Sequence, residues 1–246
     1  MTLVGAGVSL GAFVVGAAFT AVTLGNFFDR RKPYNLMWGV GLLLFTTAAF
    51  VQVVAELGGW TDGLFRTWYF AGITNVGFLG LGSVYLANRR AGHAFAAFIL
   101  VLTAVFGYVV LATPTNASAI ATWNADGLPP AGAGWASSTP RLITPIINII
   151  GAAPLIGLAL YGVYRYRLWY NGYIAAGASI MAIGSALTRY NNPTLIYAGV
   201  FVGIVLMFVG FWQATEWAKE HRQAANIAEA AEASEPAETS EKTGTK

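Results

Sequence analysis

Seven long apolar stretches alternate with short polar breaks along the chain of 246 residues. They cover residues 3–25, 34–55, 67–87, 93–112, 142–164, 170–188 and 194–215. Each holds about 20 residues, the length a helix needs to cross some 30 Å of hydrocarbon at about 1.5 Å per residue. Lipid offers the backbone no hydrogen-bond partner, so each run must close its own bonds as a helix. The pattern predicts an all-α fold, a polytopic membrane helix bundle with seven transmembrane helices in residues 1–217.

The polar breaks give the orientation. Arg30, Arg31, Lys32, Arg89, Arg90, Arg165, Arg167, Lys219 and Arg222 fall on one side, against Arg66, Arg141 and Arg189 on the other. Positive charge is retained in the cytoplasm, which predicts an external N-terminus and a cytoplasmic C-terminus in a cell membrane. The first stretch has its basic residues after the apolar run, so it reads as an uncleaved span rather than a signal peptide. Residues 113–140 form a long external connection rich in Ala, Gly, Ser, Thr and Pro. Trp123 and Trp135 lie within it and are expected to rest on the membrane interface. Residues 218–246 read as a charged, largely disordered cytoplasmic tail. Helix can continue through 217–233 and should stop by Pro236.

Composition sharpens the picture mainly by exclusion. Hydrophobic residues make up 56% of the chain and charged ones 10%, far below the roughly 25% of a soluble domain. There is no cysteine, which removes disulfides, thiolate metal sites and cysteine nucleophiles. The four lysines (Lys32, Lys219, Lys242, Lys246) lie outside the apolar runs, so no retinal Schiff base is expected. His93 and His221 are far apart at span ends and cannot together hold haem or zinc. Acidic, basic and imidazole groups occur only near span ends, which argues against a proton relay. No cofactor, no enzyme activity and no nucleic-acid partner are expected. Membrane lipids are, together with a second copy or a membrane-complex partner.

Uncharged polar residues inside spans are the candidate ligand contacts: Gln52, Asn75, Asn148 and Ser179, with Thr74 and Ser185 beside them. They either line a polar cavity or hydrogen-bond between helices. Pro145 and Pro154 bracket Asn148 and can kink that span. Gly7 with Gly11, and Gly199 with Gly203, are four apart and leave one helix face open to close packing. Among the external charges, Arg66, Arg141, Arg189 and Glu56 form a candidate cluster. Arg66 sits at a helix N-terminus, where the dipole disfavours a cation, so a carboxylate is expected to compensate. Glu56 is the candidate partner, with Asp62 and Asp126 on the same face. The tryptophans at the span ends (Trp38, Trp60, Trp68, Trp169, Trp212, Trp217) fit aromatic belts.

Two parts of the chain read alike, either as a faint internal repeat or as a coincidence in a composition rich in Ala and Gly. Arg31-Lys32-Pro33-Tyr34 and Arg167-Leu168-Trp169-Tyr170 each precede a small-residue span. After the following turn come Tyr69-Phe70-Ala71-Gly72 and Tyr197-Ala198-Gly199. The pairing predicts three helices, a linker helix, then three more in parallel. The run from Phe65 to Gly72, with Leu79-Gly80-Leu81-Gly82-Ser83-Val84-Tyr85-Leu86, resembles uncharacterised multi-pass proteins of prokaryotes. That resemblance implies a prokaryotic inner membrane and no particular activity. The three-one-three plan is similar to PQ-loop and SWEET-type transporters, but none of the glutamines (Gln52, Gln213, Gln223) follows a proline. Architecture alone does not transfer function. The sequence leaves three readings: a carrier or sensor for a neutral or lipid-like molecule, a structural or assembly subunit of a membrane complex, and, least favoured, a lipid enzyme.

Overall fold

The computed structural model describes residues 3–126, 132–187 and 193–234. The helices are α1 (Leu3–Arg30), α2 (Pro33–Gly58), α3 (Asp62–Ala87), α4 (Arg89–Ala112), α5 (Ala117–Asp126), α6 (Thr139–Tyr166), α7 (Tyr170–Leu187) and α8 (Pro193–Ser234). A 3-10 turn, Gly132–Gly134, precedes α6. Six of the helices (α1, α2, α3, α4, α6 and α8) are long and apolar enough to cross a membrane. The protein is therefore all-helical and multi-pass. The seventh expected span is helical as α7, with 18 residues.

Local chemistry sets the boundaries. Pro33 opens α2, where its missing N–H costs nothing. Thr61 caps α3 by accepting from the Leu64 amide at 3.3 Å. Asn88 caps α4 through the Arg90 and Ala91 amides at 2.9 and 3.1 Å. α6 runs unbroken through Pro145 and Pro154. α8, at 42 residues, continues past the apolar run to Ser234. At about 63 Å it exceeds a bilayer core twofold. The helical extension expected through 217–233 is present, and it runs to Ser234. Residues 235–246 lie outside the described part.

Six helices form a closed ring in which α1 packs on α2, α2 on α3, α3 on α6, α6 on α7, α7 on α8, and α8 on α1. α4 lies outside, against α3 and α6. The ring therefore has two halves, α1–α3 and α6–α8, with α4 as linker. Corresponding positions of the halves match closely. α1 and α6 each have 28 residues. Each is followed by an arginine in the left-handed region, Arg31 (φ 51°) and Arg167 (φ 57°), the only such non-glycine residues among those described. That conformation costs an L-residue about 1–2 kcal/mol, so its recurrence 136 positions apart is not incidental. The next turn repeats as well: the Asn35 amide bonds Lys32 O at 3.1 Å, and the Asn171 amide bonds Leu168 O at 3.0 Å.

Helix pairing follows the same register. A Cβ on Gly41 of α2 would meet Asn75 O and Leu79 of α3 at 2.9 Å each. A Cβ on Gly177 of α7 would meet Gly203 O and Met207 of α8 at 2.5 and 2.8 Å. Gly41 and Gly177 are 136 apart, and Leu79 and Met207 are 128 apart. Backbones held this close are packed by contact rather than by hydrophobicity, as lipid-embedded helices must be. Of the glycine pairs noted in the sequence, Gly199 and Gly203 serve this α7–α8 contact, Gly11 faces Phe201 of α8, and Gly7 faces open space.

Candidate functional site

Three regions bring chemistry-bearing side chains together: the ring axis, the end of the bundle bearing the 113–138 connection (the cap end), and the inter-half seams.

On the axis lies a gap of about 10 Å³ lined by Phe19, Trp38, Leu79, Leu155, Ile174 and Met207. Each of the six ring helices contributes one residue. The six form three repeat-related pairs: Phe19 with Leu155 and Trp38 with Ile174, each 136 apart, and Leu79 with Met207, 128 apart. The gap therefore sits on the pseudo-twofold relating the halves. Its size is at the threshold for one water, and its walls are apolar. Trp38 was expected at the membrane interface. It instead turns inward and meets Phe211 of α8, with ring centroids 5.8 Å apart.

The polar candidates do not converge on this gap. Asn75 donates to carbonyls of its own helix, Gly72 O at 2.6 Å and Ala71 O at 3.3 Å. The Gln52 carbonyl accepts from the Trp68 indole at 3.2 Å. Asn148 on α6 and Ser179 on α7 are half-buried on separate helices. Short-range bonding has satisfied Asn75 and Gln52 where they stand, so the four do not assemble into one polar cavity.

At the cap end, the described parts of the 113–138 connection, residues 113–126 and 132–138, are folded. Thr115 and Trp135 pair in an isolated antiparallel bridge, and the Asn116 amide bonds Gly134 O at 2.7 Å. Trp135, expected to rest on the membrane interface, is only 2% exposed. It lies 4.9 Å from Phe65 and 5.3 Å from Tyr69, centroid to centroid. Both belong to a buried cluster with Phe106, Val110, Ile120 and Ile147. Asn124 of α5 holds the α2–α3 turn from both sides, accepting from the Trp60 amide at 2.6 Å and donating to Trp60 O at 3.1 Å. Trp60, also expected in an aromatic belt, is buried there.

Arg66 resolves the dipole problem in a way the sequence did not anticipate. Its partner is Asp62, one turn earlier, at 2.8 Å, and not Glu56. Its guanidinium donates to the Val110, Leu111 and Thr113 carbonyls that end α4. The cation thus leaves the positive end of α3 for the negative end of α4. It also lies 5.6 Å from the Trp135 ring centroid. Thr115 donates its hydroxyl to the other Asp62 oxygen. Arg141 is exposed, and its aliphatic stem passes over Gly132. Arg189 lies outside the described residues. The expected four-residue charge cluster is therefore not assembled among Arg66, Arg141 and Glu56.

Glu56 is the feature the sequence reading placed least well. Although near the end of α2, it is only 5% exposed. It accepts the Tyr197 hydroxyl from the first turns of α8. The repeat-related residue of α3, Tyr69, bonds the Thr144 hydroxyl of α6 at 2.8 Å. Each tyrosine thus ties one half of the ring to the other. The signal that could have found these residues was the spacing itself. Arg31-x-x-Tyr34-Asn35 recurs as Arg167-x-x-Tyr170-Asn171, 136 positions on. That offset relates Phe19 to Leu155 and Trp38 to Ile174, and an offset of 128 relates Tyr69 to Tyr197 and Leu79 to Met207.

Ring, apolar exterior and membrane-length helices define a multi-pass membrane protein. Comparison with known protein families, curated proteins and solved structures finds no match for this chain.

Proposed function

We propose that the protein is a carrier for a small, largely apolar molecule, working through relative movement of α1–α3 and α6–α8. The observation that supports this most is the axial gap, to which every ring helix contributes one repeat-related residue. In membrane proteins built from repeats, substrates bind where the repeats meet, because only there can a movement of one half re-expose the site. The apolar lining favours a neutral or lipid-like solute over an ion. A ligand of any size must spread the six residues, so this is the closed form. In this reading α7 is the seventh span, the cap end faces outward and the tail of α8 lies in the cytoplasm, as the distribution of basic residues requires.

Filling the gap tests the reading. Ile174→Phe should preserve folding but abolish retention of an apolar small molecule that the parent keeps through mild-detergent purification, read by mass spectrometry of solvent extracts. Identical extracts from both proteins would favour a structural subunit instead.

A further inference from the structure

We propose that the carrier opens sideways, between α1 and α8, and admits its substrate directly from the lipid; this rests on the carrier reading above. The substrate class is then a membrane-dissolved apolar molecule, such as a long-chain hydrocarbon or alcohol.

The two places where the halves meet are built differently. At the α3–α6 seam, a Cβ on Gly80 would strike the Gly151 carbonyl, and one on Gly151 would strike the Val76 carbonyl. The backbones touch, and no side chain is available to yield. α4 packs across this seam from outside. Trp135 and the folded cap cover its end, above the Tyr69–Thr144 bond. This seam is a hinge.

The α1–α8 seam is made of side chains. Phe19 of α1 meets Phe208 and Phe211 of α8 at 5.4 and 5.1 Å, and Gly11 faces the ring edge of Phe201. Among the described residues, no other helix covers it as α4 covers the opposite seam. Leu10 and Val14 on α1, and Val202 on α8, are exposed apolar residues on these two helices. Buried hydroxyls of α1, Ser9 and Thr23, have no hydrogen-bond partner in this closed form. Ala12 and Phe19 share a face turned to the ring interior, where Phe19 lines the axial gap, whereas Gly16 packs on Phe45 and Thr46 of α2. Separation of α8 from α1 would therefore uncover Phe19 and the axis behind it, and among the described residues no hydrogen bond joins those two helices. The restraint on that movement is at the cap end, where Tyr197 of α8 donates to Glu56 of α2. That bond is the latch.

With no native cysteine, nitroxide pairs can be placed cleanly. Positions Leu10 and Val202 report on the α1–α8 seam, and Thr67 and Ile146 on the α3–α6 seam. Pulsed electron–electron distance measurements in lipid nanodiscs should give one narrow population for each pair. Tyr197→Phe or Glu56→Leu should add a second, longer population to the α1–α8 pair only. Glu56→Gln, which keeps an acceptor, should retain the parent distribution. Saturating 1-bromododecane should produce the longer population in the parent, and not in Ile174→Phe. An α1–α8 distance that never changes, or equal lengthening at both seams, would overturn lateral opening. A parent that retains an apolar molecule in extracts while its α1–α8 distance stays fixed would overturn this route and leave the carrier standing. Loss of both results would overturn the two together.

Discussion

The α3–α6 and α1–α8 seams are related by the pseudo-twofold of the ring, yet they are joined by different physics. At the first, glycines bring backbones into contact, and an aromatic plug and an outer helix lie over the junction. At the second, phenylalanine rings interleave and the outer surface is left bare. Side chains can change rotamer, whereas carbonyl oxygens on a helix cannot move without moving the helix. A duplicated architecture thus acquires a fixed side and a compliant side without losing its repeat register.

The most disruptive single test of this contrast lies in the cap over the fixed seam. Trp135→Ala removes a fully buried indole from between α3, α4 and α6, and should cost about 3–5 kcal/mol. Thermal unfolding in detergent, with early proteolysis within 113–138, would show it. A small loss would mean that the cap merely rests on the bundle.

A matched pair of glycine substitutions sharpens the contrast directly. Gly151→Ala should cost about 1–3 kcal/mol, because the new methyl meets main-chain atoms. Gly11→Ala on the opposite seam meets only the Phe201 ring edge at 2.9 Å, which can turn aside, so its cost should stay below about 0.5 kcal/mol. Equal losses would erase the distinction between the seams.

The smallest expected effect is a coupling energy. Arg66→Ala should destabilise by about 1–2 kcal/mol through loss of its charged bonds to the end of α4, since its side chain is 19% exposed. Glu56→Gln acts on the other side of the ring, at the α2–α8 latch. The double variant should therefore be additive within about 0.5 kcal/mol. A larger interaction term in a thermal double-mutant cycle would restore the Arg66–Glu56 pair that sequence reasoning favoured.

That pair shows where reading from sequence reached its limit. Arg66 was recognised as misplaced for the α3 dipole, which was sound. The sequence reading pairs it with Glu56, ten residues earlier, although Asp62 stands only four residues away, one helical turn along. The guanidinium also has the carbonyls of α4 within reach, 44 to 47 residues later. Asn75 and Gln52 similarly looked like ligand contacts because polar groups in lipid need partners. They found those partners in their own helix and in Trp68.

By itself the sequence determined that the chain is helical and multi-pass, and where most helices begin and end. Each of those properties depends on short-range periodicity, capping chemistry and the hydrocarbon thickness, all of which are written locally. Only the tertiary structure decided that Trp135 is a plug, that Glu56 faces Tyr197, and that one seam is backbone-tight while its twin is aromatic. Those outcomes depend on which faces of distant helices meet. In a chain where nearly every face is apolar, periodicity carries no information about that choice.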